Sequence, residues 1–148
     1  LHLLSKMPDA RRAELEEQGL LSSLAASSNV VVHNGVSDEE YAELLESAHA
    51  LVTASRAEGY GLPVVEAQAA GCPAVISDID IFREIAPHAV LAPVTEDPQA
   101  DAPAWVEAIR SLEDDAVRDR AILKGLQDAS HYSWRDSALK LIRIVRGL

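Results

Sequence analysis

Short apolar runs alternate with longer stretches that have helical spacing of apolar residues. The runs lie at residues 1–4, 29–33, 50–55, 73–77 and 89–92, and they predict buried β-strands. The stretches between them predict helices at 9–26, from Ser37 onward, at 64–70 and at 80–85. Strands that alternate with helices over short connections are typical of parallel sheets with right-handed crossovers. The pattern therefore predicts a Rossmann-like α/β protein with flanking helices.

The last third of the chain is predicted to be helical. Residues 94–103 are polar and contain two prolines, which indicates a surface loop. Helices are predicted at about 103–112, 114–129 and 133–147. Ser37 and Glu40 have the spacing of a capping box, and Gly71 is expected to end the helix at 64–70.

Candidate chemistry is concentrated in Glu58-Gly-Tyr-Gly-Leu-Pro-Val-Val-Glu66, directly after a predicted strand. Proline is favoured at the start of a helix, so we expect a helix to begin near Leu62 or Pro63. Glu66 would then lie on its first turn and Glu58 in the preceding loop. Free N–H groups at such a helix start attract phosphate. A carboxylate on each side of a phosphate site suits the hydroxyls of two sugars, as in a nucleotide-sugar.

These residues resemble a known family. Ser55-x-x-Glu58-Gly-Tyr-Gly-Leu-Pro-x-x-Glu66-Ala-x-Ala-x-Gly71-x-Pro73 is similar to the donor-site signature of retaining glycosyltransferases of family 4, which have the two-domain GT-B architecture. The segments at 30–36, 38–45 and 82–85 also resemble that family, and the similarity runs from about Leu1 to about Trp134. The resemblance implies the C-terminal half of a GT-B enzyme.

The resemblance also implies roles for individual residues. Glu66 would bind the ribose hydroxyls, and Glu58 would bind hydroxyls of the donor sugar as the catalytic residue. The sugar–phosphate wall and the base contacts would come mainly from backbone: Gly59, Tyr60, Gly61, Leu62, Gly35 and Val36. The donor is a nucleotide-diphosphate sugar, and we expect no cofactor and no metal.

Two parts of the resembling family find no match here. Its Gly-Arg-Leu…Lys-Gly segment, which supplies Arg and Lys to the diphosphate, has no counterpart, so we expect the first strand–helix unit to be lacking. The N-terminal acceptor domain has none either. We therefore expect a fragment, or a chain completed by another, that is inactive alone and prone to self-association at exposed sheet edges. Residues 1–130 would form the donor domain, and 131–148 a C-terminal helix.

Charge excludes some partners. The net charge is −11 with a pI of about 4.7, so nucleic acid is not an expected partner. No run approaches the roughly 18 apolar residues that cross a membrane, and nothing at the start resembles a secretory signal. We therefore predict a cytoplasmic protein.

Cys72, the only cysteine, is expected to be packed at a helix-to-strand turn.

The C-terminal segment is basic and amphipathic. Four cations, Arg135, Lys140, Arg143 and Arg146, accompany an apolar helical stripe. The stripe is expected to pack on the domain. The alternatives are contact with the missing acceptor domain or with an acidic membrane surface. Of these two, the resemblance favours the acceptor domain.

Two other functions remain open. The first is a non-catalytic binding module with the same fold, favoured by the unmatched basic clamp. The second is an isomerase of the same architecture that acts on a nucleotide-sugar. The absence of G-x-G-x-x-G argues against a dinucleotide oxidoreductase.

Overall fold

The computed structural model describes residues 1–5 and 8–147, so Leu148, the end of the predicted C-terminal segment, lies outside the described residues. The strands are β1 (His2–Ser5), β2 (Val31–Asn34), β3 (Leu51–Thr53), β4 (Ala74–Ser77) and β5 (Val90–Ala92). The helices are α1 (Asp9–Glu17), α2 (Leu20–Ala25), α3 (Asp38–Ser47), α4 (Leu62–Ala69), α5 (Asp80–Ile85), α6 (Pro98–Ser111), α7 (Asp115–Ala129) and α8 (Trp134–Arg146).

The chain divides into two compact units, Leu1–Ala42 and Glu43–Leu148. In the first unit β1 pairs in parallel with β2, with His2 opposite Val31 and Ser5 opposite Asn34. In the second, three parallel strands have the order β3-β4-β5. Parallel pairing is as predicted, but within the described residues the strands form two sheets and not one.

The core of the second unit lies on both faces of β4, whose four residues are all buried. Ala74 and Ile76 point into a cluster with Val64 of α4 and with Phe82 and Ile85 of α5. Val75 points to the other face, where it packs with Leu112 at the end of α6. Full burial of a large aliphatic or aromatic side chain contributes about 1.5–3 kcal/mol. Helices on both faces therefore hold β4 and its carboxyl end in place.

Two helix boundaries differ from the prediction. The helix predicted at 9–26 is broken between α1 and α2, because Gly19 has a φ of 69° that no right-handed helix contains. The loop predicted at 94–103 ends early, since α6 begins at Pro98. The Asp97 side chain accepts hydrogen bonds from the N–H groups of Gln99 and Ala100, and Pro98 occupies a first-turn position where its missing N–H costs nothing.

Other local predictions are confirmed. Glu40 accepts a hydrogen bond from the Ser37 N–H (2.9 Å) and donates its own N–H to Ser37 Oγ (3.2 Å), which completes the capping box. Cys72 is buried, and this burial raises the pKa of its thiol.

Helix α8 is amphipathic but buries none of its residues. Its apolar side chains stay largely exposed, including Trp134 (81%), Ile144 (76%) and Val145 (77%). The expected packing of this stripe on the donor domain is therefore not seen among the described residues, and contact with an acceptor domain stays a prediction.

Candidate functional site

The residues of the Glu58–Glu66 motif lie at the carboxyl end of β3. Residues 54–61, here called the motif loop, connect β3 to α4. Gly61 precedes the first residue of α4 with a φ of 76°, and Pro63 is in the first turn. The helix start predicted near Leu62 or Pro63 is confirmed. In open parallel sheets, ligands bind outside this end of the strands.

Gly61 is fixed by steric contact as well as by its backbone angle. A Cβ atom there would lie 2.8 Å from both Ile85 Cδ1 and Phe82 Cε1, closer than real contacts allow. Both neighbours are buried in the core, with 2% and 0% exposure. The motif loop is therefore seated directly on α5, and only glycine fits where the loop turns into α4.

The start of α4 has unpaired backbone N–H groups. Among the described residues, the amides of Gly61 and Leu62 donate to no acceptor. Pro63 has no N–H, and the Val64 N–H bonds back to the Gly61 carbonyl at 3.0 Å. Unpaired amides at a helix start, aligned with the helix dipole, can hold an anion.

Glu58 is oriented by the motif loop itself. Ser55 Oγ lies 2.6 Å from Glu58 Oε1, and the Ser55 hydroxyl in turn lies 3.3 Å from Thr53 Oγ1. A charge-assisted hydrogen bond of this kind fixes the direction of a carboxylate. Glu58 remains exposed to solvent, so its second oxygen is accessible to a ligand.

Glu66 is placed slightly differently from the prediction. Because α4 begins at Leu62, Glu66 is its fifth residue and lies just beyond the first turn, not on it. Val64, Ala67 and Gln68 occupy the buried face of the helix, and Glu66 is exposed. Its carboxylate is therefore accessible to a ligand.

Two further side chains of the motif loop have specific partners. The Tyr60 ring makes an edge-to-face contact with Tyr132, with 6.1 Å between ring centroids. Arg56 forms an ion pair with Glu96 at 3.0 Å, so this cation is engaged by a carboxylate.

The predicted base-binding residues belong to the first unit. Gly35 follows β2 with a φ of 84°, and its N–H donates to the Ser5 carbonyl at 3.0 Å. Val36 is half-buried beside it. Both residues lie in a different unit from the motif loop.

A pocket of about 400 Å³ also lies within the first unit. It contains no residue of the motif loop, and its lining is Ser5, Arg12, Glu16, Leu21, Ser22, Val32, His33 and Asn34. Across the described part of the chain no cluster of three or more His, Cys, Asp or Glu could hold a metal ion. No described helix is long and apolar enough to cross a membrane.

Sequence reasoning missed the contacts that support the motif loop. Phe82, Ile85 and Tyr132 touch Gly61 or Tyr60, but they are far from the motif in sequence. No local pattern shows such long-range packing. The glycine at position 61 indicates a turn, but it does not show which distant residues that turn contacts.

Comparison with known proteins identifies the family. The family described as "Glycosyl transferases group 1" matches residues 12–127, which is most of the chain. The chain belongs to this family. It is 33% identical over 107 residues to an O-antigen chain mannosyltransferase B of Escherichia coli, covering 72% of this chain and 27% of that protein. It is 31% identical to a D-inositol 3-phosphate glycosyltransferase 1 of Catenulispora acidiphila, covering 86% and 30%.

A solved structure agrees with this assignment. The chain superposes on sucrose-phosphate synthase from Thermosynechococcus elongatus with a TM-score of 0.79 and 26% identity, over 99% of this chain and 38% of that one. The predicted fold class, an α/β protein with parallel strands and flanking helices like GT-B glycosyltransferases, is confirmed. The chain spans about a third of the length of these relatives.

Proposed function

We propose that this chain supplies the donor-binding part of a retaining glycosyltransferase of family 4. The reaction moves a sugar from a nucleotide-diphosphate sugar to an acceptor hydroxyl. The observation that carries the proposal is the junction between the motif loop and α4. It combines free amides at the start of α4 with an oriented Glu58 in the preceding loop and an exposed Glu66 further along the helix. The family membership supports sugar transfer.

The chemistry suits this arrangement. Negative charge builds on the leaving phosphate in the transition state, and preorganised donors lower the barrier most when they point at such charge. The amides of Gly61 and Leu62 would serve here, because their positions are fixed by the contacts of Gly61 with α5. The backbone of Gly59 and Tyr60 would complete the wall beside the sugar and phosphate.

The two carboxylates would bind different parts of the donor. Glu58, oriented by Ser55, would accept hydrogen bonds from hydroxyls of the transferred sugar. Glu66 would accept hydrogen bonds from the ribose hydroxyls, and Gly35 and Val36 would contact the base. Many of the relatives are named mannosyltransferases, which supports a hexose as the transferred sugar.

Glu66 provides the first test. In the longer enzyme of which we propose this chain to be the donor-binding part, calorimetry with UDP, GDP and ADP measures nucleotide affinity. We expect Glu66→Ala to abolish detectable binding, because each charge-assisted hydrogen bond is worth roughly 1.5–3 kcal/mol. Glu107→Ala, which removes an exposed glutamate of α6, is the matched control and should bind like the wild type. Equal affinity of Glu66→Ala and wild type would refute the ribose assignment.

Glu58 provides the second test. We expect Glu58→Gln to lower turnover of a nucleotide-sugar while the affinity for the bare nucleoside diphosphate stays nearly unchanged. If both fall together, the roles of the two carboxylates are wrongly assigned. The anomeric configuration of the product, measured by NMR, tests retention separately, and an inverted product would contradict the mechanism.

A non-catalytic binding module is the second candidate. It is favoured by the engagement of Arg56 with Glu96, which leaves the motif loop to bind a diphosphate with neutral amides. Nucleotide binding without any transfer by the longer protein, across all donors and acceptors assayed, would support this candidate.

A further inference from the structure

Tyr132 contacts the motif loop from a distant part of the sequence. It lies between α7 and α8, and its ring meets Tyr60 edge to face, with centroids 6.1 Å apart and an interplanar angle of 87°. This is a favourable geometry for an aromatic pair. Tyr60 itself is 47% exposed, so Tyr132 supplies a defined contact to a side chain that solvent would otherwise leave mobile.

The same core cluster holds Tyr132 and the end of the motif loop. Tyr132 packs against the cluster that contains Phe82 and Ile85. Gly61 touches those two residues directly. Residues 60 and 61 are thus held at adjacent positions, one by the Tyr132 ring and one by α5.

Tyr132 is itself anchored. Its N–H donates to the Ala129 carbonyl at 3.0 Å, which continues the end of α7. Asp128, only 6% exposed, accepts hydrogen bonds from the His88 N–H (3.2 Å) and lies 2.7 Å from His88 Nδ1. This pair ties the end of α7 to the segment that follows α5. These hydrogen bonds hold the backbone that carries the Tyr132 ring.

The hydroxyl of Tyr132 stays neutral near physiological pH. Its pKa is raised by burial, and further by the neighbouring Tyr60, Glu84 and Asp128. The contact with Tyr60 is therefore made by the ring of an uncharged Tyr132.

We propose that Tyr132 is a positioning residue for the motif loop. Through Tyr60 it holds the backbone of residues 59–62, and with it Glu58, in the orientation that meets the donor. The inference rests on the proposed function of the motif loop. It assigns to a residue outside the Glu58–Glu66 motif a role in sugar transfer, by way of a contact and not by touching the substrate.

The first experiment compares Tyr132→Phe, Tyr132→Leu, Tyr60→Leu and the double variant of both leucine changes. In the longer protein we measure kcat and KM for the nucleotide-sugar that the wild type uses, chosen from UDP-, GDP- and ADP-linked hexoses. We expect Tyr132→Leu to lower kcat/KM about threefold to tenfold, which corresponds to the free energy of one edge-to-face aromatic contact. Tyr132→Phe keeps the ring and should stay within about twofold.

The double variant separates positioning from a general loss of stability. If Tyr132 acts through Tyr60, the double variant should have the same kcat/KM as Tyr60→Leu alone, because Tyr60→Leu has already removed the contact. Leu112→Val, which weakens the core on the other face of the sheet, controls for reduced stability and should leave kcat/KM unchanged. Additive losses, or a Tyr132→Phe variant as slow as Tyr132→Leu, would overturn the proposal.

The second experiment does not depend on activity. In the 148-residue chain, ¹⁵N relaxation measures the order of the Gly59, Tyr60 and Gly61 amides on the fast timescale. We expect this order to fall in Tyr132→Leu and to stay at the wild-type level in Tyr132→Phe. Unchanged order in Tyr132→Leu would overturn the positioning role. A longer protein that transfers no sugar, together with the expected relaxation result, would instead reject the proposed function alone.

Discussion

Replacing Gly61 by alanine tests how tightly the motif loop is seated. Gly61 has a φ of 76°, a conformation that costs an L-residue about 1–2 kcal/mol. The new Cβ atom would also lie 2.8 Å from Ile85 Cδ1 and Phe82 Cε1, which are buried and cannot move away freely. Forcing an extra carbon into a packed core costs about 1–3 kcal/mol. We expect a total loss of about 2–5 kcal/mol from the free energy of unfolding.

Gly71 offers a matched control at the other end of α4. It has nearly the same φ, 73°, but the nearest atom to an added Cβ, Ile122 Cγ2, is 4.0 Å away. Gly71→Ala should therefore incur only the backbone cost of about 1–2 kcal/mol. The difference between the two variants isolates the steric contribution of α5.

Urea unfolding of the chain measures both variants. The fluorescence of Trp105, whose indole N–H donates to the Pro93 carbonyl at 2.8 Å, reports on the second unit. Replacing the exposed Trp134 by phenylalanine removes the other indole signal. Equal destabilisation by Gly61→Ala and Gly71→Ala would refute the reasoning, because it would mean that the motif loop can shift away from α5 without cost.

Three further predictions concern other residues and the isolated chain. Ser55→Ala removes the hydrogen bond that orients Glu58, so it should lower turnover of a nucleotide-sugar and leave the affinity for the nucleoside diphosphate unchanged. Steady-state kinetics and calorimetry measure the two effects, and a loss of nucleotide affinity would contradict the prediction. The 148-residue chain should transfer no sugar and bind nucleotides with a dissociation constant weaker than about 1 mM, because a chain of net charge −11 would hold a diphosphate mainly with amides; micromolar binding in calorimetry would refute this. Hydrogen bonding to Arg83 lowers the pKa of Asp78 below its usual 3.8, so Asp78 stabilises the fold above that value and this contribution is lost as the pH falls through the folded-state pKa. Asp78→Asn should thus be less stable than wild type near neutral pH and equally stable in strong acid, and urea unfolding at both pH values that shows a constant difference would count against it.

Much of the local structure was predictable because it depends on neighbouring residues. Strand β4 is a short apolar run, α4 begins at Leu62 between a glycine and a proline, and the Ser37–Glu40 box has a fixed spacing. The start of α6 was predicted too late because two prolines suggested a loop, although Asp97 followed by Pro98 is also a helix-start signal.

The support of the candidate site could not be predicted in this way. The contact between Tyr60 and Tyr132 and the fit of Gly61 against Phe82 depend on how distant elements pack. The position of Glu66 just past the first turn depended on a shift of one residue in the start of α4, which is finer than a sequence pattern resolves.

The exposure of α8 has a consequence for how cooperatively the chain unfolds. An isolated helix of 13 residues is only marginally stable in water, and α8 buries none of its side chains. Its backbone hydrogen bonds should open and exchange with solvent far more readily than those of the buried β4. The helical state of α8 is therefore only marginally stable by itself. A surface that covers Trp134, Ile144 and Val145 would stabilise it. Folding of this segment and its association with that surface would then be coupled.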